Sequence, residues 1–223
     1  MKKTCYLTTA AVVMLSVSIP LTAPAQENGW TLKKNRKGIQ VYTRDVPGSG
    51  FKEFRATVEV EATMAGVLKL MEDIRSYPRW FPKLKESRLL KKISSTEMIL
   101  YHWMKVPFPA DDRDSVFKVT ARRDVKTKTV TLGLTSLPDY LPEIKGIIRV
   151  KKISGSWTFI PNKERKTVTV IYQMHSDPGG ELTPLLANAA VVKRPFTVLK
   201  NMREMLKKPE YRDAKDSELQ LFR

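Results

Sequence analysis

GGELTPLLANAAVVKRPFTVLKNMREMLKK, residues 179–208, predicts one long helix. Thr183 has the side chain of an N-cap, and Pro184 falls at the first helical position, where a missing N–H leaves nothing unsatisfied. Leu185, Ala189, Val192, Phe196, Leu199, Met202 and Leu206 recur at steps of three and four, which places them on one face. Lys193, Thr197, Lys200, Glu204 and Lys208 occupy the other. At a rise of 1.5 Å per residue such a helix is about 36 Å long, enough to cross a domain. Pro195 removes one backbone hydrogen bond and predicts a kink. A long helix with one apolar face needs a sheet to lie on.

Working outward, the chain supplies that sheet. Residues 166–175 and 147–160 read as a hairpin turning at Pro161-Asn162, and Asp177-Pro178-Gly179-Gly180 ends it and releases the helix. Residues 113–122 and 127–136 read as a second hairpin, with Val130, Leu132 and Leu134 pointing one way. Residues 97–106 are apolar on both faces, and 87–93 form a further strand. The segment 137–144 is a loop stiffened by Pro138 and Pro142. Earlier still, Phe54, Ala56, Val58, Val60 and Ala62 alternate with polar residues, the pattern of a strand with one buried face. It should form a hairpin with 39–44 around the turn at 47–50. Thr63 reads as the cap of a short helix that ends before Pro78, Trp80 and Pro82. Residues 29–38 suggest a short helix or turn, and the charged end 209–223 is expected to fray. Strands joined by short turns favour antiparallel pairing over βαβ units. The fold class is therefore α+β, a curved antiparallel sheet gripping one long C-terminal helix.

The first 25 residues have the form of an export signal: Lys2 and Lys3, an apolar run over 10–21 too short to span a bilayer, and Ala23-Pro24-Ala25 as a small-x-small cleavage site. The periplasm is the expected destination. The single cysteine, Cys5, leaves with this segment, so the mature chain must rely on its core. About 198 of the 223 residues then remain, enough for one domain over 26–208 with a substantial interior. The charge of the whole chain is +17, and removal of Lys2 and Lys3 leaves about +15. Nucleic acid, an anionic membrane surface and simple solubility all accommodate such a charge. Nucleic acid is set aside for an exported protein. The basic pairs are dispersed (Lys33-Lys34, Lys91-Lys92, Arg122-Arg123, Lys151-Lys152, Lys207-Lys208), which suits simple solubility or a broad surface better than a specific groove.

Motifs for chemistry are sparse. The two histidines, His102 and His175, lie in expected strands without metal-ligand spacing. No Gly-x-Ser-x-Gly elbow, Gly-x-Gly-x-x-Gly or Walker loop occurs. Asp111, Asp112 and Asp114 are three acids in four residues, and at a turn they read as solvated or paired with Arg113 rather than as a cation site. Neither a metal nor a cofactor is expected. What the pattern offers instead is many apolar faces around one helix, leaving open whether they fill the interior or line a cavity for a hydrophobic ligand.

In order and spacing the chain resembles a START domain, the lipid-transfer member of the helix-grip superfamily. Four stretches carry the resemblance: Trp30 with Gly38-Ile39-Gln40-Val41-Tyr42; Met71-Glu72-Asp73 leading to Trp80; Tyr101 through Pro107-Phe108-Pro109 to Arg113-Asp114; and Gly155-Ser156-Trp157 with Pro161, followed by Asp177-Pro178-Gly179-Gly180 and the final helix. The resemblance implies a hydrophobic tunnel holding one lipid or sterol, walled by the sheet, lidded by the C-terminal helix and gated by the loop 137–146. Sterol-carrying relatives place a buried arginine six residues after the arginine of the Arg-Asp motif. Here that position is Val119, which implies a less polar tunnel or an anchor from elsewhere, such as His102 or Tyr172. Arg113 and Asp114 read as structural. The expected lining is Trp80, Leu100, His102, Val119, Leu132 and Tyr172, with Phe196, Leu199 and Met202 on the lid and Leu137, Tyr140 and Leu141 on the gate. Lys145 and Arg149 are placed to meet anionic headgroups.

The leading reading is thus a periplasmic protein without catalytic activity that binds or transfers a lipid, in transient contact with an anionic membrane. A cyclase- or hydrolase-type enzyme of the same superfamily is the alternative, with His102 as its polar group. A basic surface protein with a solid core is the third reading.

Overall fold

The alternating stretch becomes one of the longest strands of the sheet, and the rest of the fold is built from it. In a computed structural model, which describes residues 29–222, β1 (Thr31–Arg36), β2 (Ile39–Val46) and β3 (Ser49–Val60) form an antiparallel meander. Phe54, Ala56, Val58 and Val60 of β3 all face the core. Residues 31–36 were expected to be a helix or turn. They pair with β2 instead, because the edge strand needs only one neighbour and Lys37 and Gly38 supply the positive φ of a tight turn.

Thr63 caps α1 (Met64–Glu72), accepting from the Gly66 N–H at 3.0 Å. A 3-10 turn (Ile74–Ser76) and the single-turn α2 (Tyr77–Trp80) follow, with Pro78 inside α2's first turn. Then come β4 (Leu84–Lys92), β5 (Glu97–Met104), β6 (Asp112–Arg123), β7 (Val130–Ser136), β8 (Ile147–Arg149), β9 (Lys152–Asn162) and β10 (Thr167–Asp177). The chain closes with α3 (Pro184–Leu206) and the one-turn α4 (Pro209–Arg212).

The ten strands make one sheet, nine of them in the order β1-β2-β3-β10-β9-β7-β6-β5-β4 with β8 off this path. All neighbours along this path are antiparallel; β8 alone pairs in parallel, with β6. The expected single strand 147–160 is therefore two, broken where Arg149 turns inward to an ion pair. The sheet curls round α3, whose C-terminal half is buried against β2, β3 and α1. Arg203 fastens that half by donating to the carbonyls of Lys37 and Glu59, and Asn201 donates to the Trp80 carbonyl at 3.0 Å.

The C-terminal segment corrects an expectation. Rather than fraying, it folds back over α1. Tyr211, Leu219 and Leu221 are buried, the Tyr211 hydroxyl donates to Asp73 at 2.7 Å, and Glu72 accepts from the N–H groups of Gln220 and Leu221. Gly66 permits the contact, since a Cβ there would lie 2.5 Å from the Tyr211 carbonyl oxygen. The proposed export signal over residues 1–25 lies outside the described residues.

Candidate functional site

The concave face of the sheet carries one apolar cluster. Around the C-terminal half of α3 it is solid: Trp80, Leu199, Met202, Phe159, Val130 and Val170 are completely buried. Leu100, Val119, Leu132, Tyr172 and Phe196 belong to the same buried cluster. Nearer the β5–β6 turn and the N-terminal half of α3, some apolar side chains are only partly covered. Met104, Met174, Val191 and Val192 face this cluster but stay only partly buried.

Aromatic rings meet within this cluster. Trp157 stacks on Tyr172 with centroids 3.9 Å apart, and Trp80 leans on Phe81 at 4.3 Å. His102 meets Phe117 edge-on at 4.8 Å and Tyr77 at 5.8 Å. On the concave face His102 stands in register between Ser87 of β4 and Ser115 of β6. Its Nε2 and the Trp80 Nε1 are buried without a hydrogen-bond partner among the described residues.

Burial, with the Arg194 charge adding to it, lowers the His102 pKa to about 3. The imidazole is therefore neutral at physiological pH. Burial pushes the Tyr172 hydroxyl up to about 12, with Arg194 opposing the rise. Arg194 is exposed, and the protein around it lowers its pKa by desolvation, which the Tyr172 charge partly offsets. Its guanidinium touches the Met104 Sδ. A neutral histidine that titrates near pH 3 is a poor general base.

The expected gate is arranged differently. Leu137 and Leu141 pack with Ile99, Tyr101 and Val116 on the convex side of β5 and β6, away from the concave face, and Tyr140 is exposed. The loop 137–146 is turned outward by Arg149, which was expected at the surface to meet headgroups. It is instead buried, paired with Asp114 and donating to the carbonyls of Pro138, Leu141 and Pro142. Arg113 makes the matching clamp on the other side, donating to the carbonyls of Pro178 and Gly179 just before α3. Both residues of the Arg-Asp motif are structural. Asp112 holds the β5–β6 turn by accepting from the Trp103 indole and the Val106 N–H. No group of three or more acidic, histidine or cysteine side chains suited to a metal occurs among the described residues.

The sequence reading missed Arg194, Met104, Met174 and Val191. The helix turns its buried face slightly away from the stripe read from sequence: Pro195, Phe196, Val198, Leu199, Met202, Met205 and Leu206 are buried, while Leu185 and Ala189 are exposed. Val191, Arg194, Val198, Met202 and Met205 also recur at steps of three and four. That second stripe was the available signal for Val198 and Met205 on the packed face.

A START domain family model matches residues 21–212. An uncharacterized protein of Pseudomonas aeruginosa is 33% identical over 196 residues, covering 88% of this chain and 96% of its own. The phosphatidylcholine transfer protein of Mus musculus is 30% identical over 179 residues, covering 78% and 81%. Among solved structures, a STAR-related lipid transfer protein from Xanthomonas axonopodis superposes with a TM-score of 0.76 at 38% identity, covering 81% of this chain and all of that fragment. The human StAR-related lipid transfer protein 5 shares the fold, with a TM-score of 0.69 at 16% identity over 81% of this chain and 87% of its own.

Proposed function

The chain belongs to the START domain family, and on that premise we propose that it carries a lipid between the concave face of the sheet and the N-terminal half of α3. The observation that carries this reading is the group of partly buried apolar side chains between the sheet and the N-terminal half of α3. Met104, Met174, Val191 and Val192 pack there against the core cluster and stay only partly buried. An apolar enclosure beside an aromatic wall suits acyl chains, whose burial contributes about 25 cal/mol per Å². The relatives named for phosphatidylcholine transfer and for STAR-related lipid transfer support a carrier rather than a catalyst.

Loading takes place at the open end, against a membrane. The β5–β6 turn, the loop 137–146 and the start of α3 share that end. They carry Phe108, Tyr140, Ile144, Leu185 and Leu186, all exposed. Exposed Lys105, Lys145 and Lys193 lie among them. Apolar side chains ringed by cations fit the interface of an anionic bilayer. Export by the segment 1–25 puts the protein in the periplasm, between two such surfaces.

Native mass spectrometry of the protein purified from its own periplasm, with organic extraction of whatever is bound, tests the carrier. A stoichiometric lipid is expected. A ligand-free mass, with no uptake from vesicles, rejects the reading.

A further inference from the structure

Four buried side-chain polar atoms have no hydrogen-bond partner among the described residues, and three of them belong to the concave face: Trp80 Nε1, Ser87 Oγ and His102 Nε2. The fourth, the Tyr101 hydroxyl, lies on the convex side. Trp80 is completely buried and Ser87 is 8% exposed. The three residues share one neighbourhood. The rings of Trp80 and His102 flank the same two rings, Tyr77 at 5.2 and 5.8 Å and Phe81 at 4.3 and 6.2 Å between centroids. Ser87 is the cross-strand partner of His102. Met104, two residues along the same face of β5, is one of the partly buried side chains assigned above to the carrier site.

In water each of these groups is hydrogen-bonded, so enclosing it among hydrocarbon without a partner destabilises the fold. Tyr77, in the same aromatic cluster, shows the usual solution: its hydroxyl donates to the Met71 carbonyl at 2.7 Å. Three orphans side by side point to a partner that the protein itself does not supply. The groups define its chemistry. An indole N–H only donates, a serine hydroxyl donates or accepts, and the Nε2 of a neutral imidazole does either according to its tautomer. An oxygen that accepts meets all of them. A charged oxygen fits poorly. The buried charged side chains Glu53, Arg113, Asp114 and Arg149 are engaged elsewhere, and Arg194 is exposed. An anion here would be desolvated without a counterion.

We propose that Trp80, Ser87 and His102 form a subsite for an uncharged oxygen of the bound ligand, a hydroxyl or an ester carbonyl. This rests on the lipid-carrier reading above. The aromatic cluster supplies affinity for hydrocarbon, and the polar atoms supply orientation, since the ligand satisfies them only with its oxygen at this point. The subsite is built on α2, β4 and β5, and it is independent of the strand position occupied by Val119.

The protein, as wild type, Ser87→Ala, His102→Phe and His102→Gln, is incubated with vesicles doped with hexadecane, hexadecanol, methyl palmitate or palmitate. It is then re-isolated and the retained probe quantified. Wild type is expected to hold the alcohol or the ester about tenfold over the alkane, the worth of one or two net hydrogen bonds, and to hold palmitate less well than the alcohol. Ser87→Ala and His102→Phe should each lower that preference about threefold or more. His102→Gln, which returns a polar nitrogen to the side chain, should keep part of it. Neither Ser87→Ala nor His102→Phe should lower the unfolding temperature of the empty protein, because each removes an unpartnered polar atom; this separates lost recognition from lost folding. Equal retention of alcohol, ester and alkane by wild type would mean that buried water alone satisfies these groups, and overturns the inference while leaving the carrier intact. A preference unchanged in both variants, or palmitate held above the alcohol, overturns it as well. Retention of no probe at all rejects the carrier and the subsite together.

Discussion

Asp114 and Arg149 form a fork of two hydrogen bonds, 2.7 and 3.0 Å, with side chains only 1% exposed, across 35 residues of sequence. The pair joins β6 to the short parallel strand β8. Because Arg149 also holds the carbonyls of Pro138, Leu141 and Pro142, it fixes the whole outward loop. Removing one partner strands a buried charge. Asp114→Asn is expected to lower stability by about 3–5 kcal/mol. Hydrogen exchange should speed up over residues 137–150 more than over β9 and β10. Denaturant titration with exchange mass spectrometry checks this, and a uniform rise in exchange would deny the clamp.

His102 should make the fold sensitive to mild acid. In the unfolded chain its imidazole titrates near 6.5, and in the folded chain near 3. Above pH 6.5 both states hold it neutral and pH has no effect through this group. Between these values only the unfolded chain takes up the proton, so stability falls as pH falls, by about 1.4 kcal/mol per unit. Below pH 3 the contribution levels off. His102→Phe keeps an aromatic ring beside Phe117 and Tyr77 and removes an unpartnered buried nitrogen. Urea titrations at pH 7, 6 and 5 should give the variant a shallower loss than wild type. Equal slopes would mean that the ring is not sealed from water.

Much of this architecture was legible because it is local. The alternation over 51–62, the cap at Thr63 and the start of the long helix at Pro184 are written in adjacent residues and appear as β3, α1 and α3. What sequence spacing misread depends on distant partners. Edge strand β1 exists because β2 is there to pair with, and β8 because Arg149 finds Asp114. Leu137 and Leu141 have the composition of a lining, but that same arginine turns their loop to the convex side. The buried face of α3 was placed slightly off for a related reason. A helix of mixed composition fits two stripes one position apart, and only the curvature of the sheet chooses between them.

The C-terminal segment illustrates the same limit and carries its own test. Residues 209–223 look polar, yet three of them are anchors buried on α1. Burial and the bond to Asp73 push the Tyr211 phenol up to about 12, so it stays a neutral donor across the physiological range. A chain ending at Lys208 loses Tyr211, Leu219 and Leu221 and uncovers α1. At roughly 1.5–3 kcal/mol for each large apolar side chain, the expected loss is about 4 kcal/mol or more. Tyr211→Phe should lose only about 1–2 kcal/mol, the share of its hydrogen bond. Thermal unfolding of both would rank them, and a truncation no worse than Tyr211→Phe would mean that the segment is not part of the core.

The exposed apolar residues at the open end separate holding a lipid from delivering it. Phe108 is 95% exposed in the β5–β6 turn and Leu185 is 82% exposed in the first turn of α3. Neither contributes to the core, so replacing them with aspartate should change stability by no more than about 0.5 kcal/mol. Each loses apolar area that would enter the bilayer interface and adds a charge that an anionic surface repels. Phe108→Asp with Leu185→Asp should therefore slow transfer between phosphatidylglycerol-containing vesicles about tenfold or more, since each residue represents roughly 1 kcal/mol or more of interfacial binding. Lipid already bound should remain, because the grip on it lies deeper. A fluorescence transfer assay run beside extraction of bound lipid distinguishes the two quantities. Loss of bound lipid together with transfer would place these side chains inside the carrier site, and unchanged transfer would move membrane contact to another face.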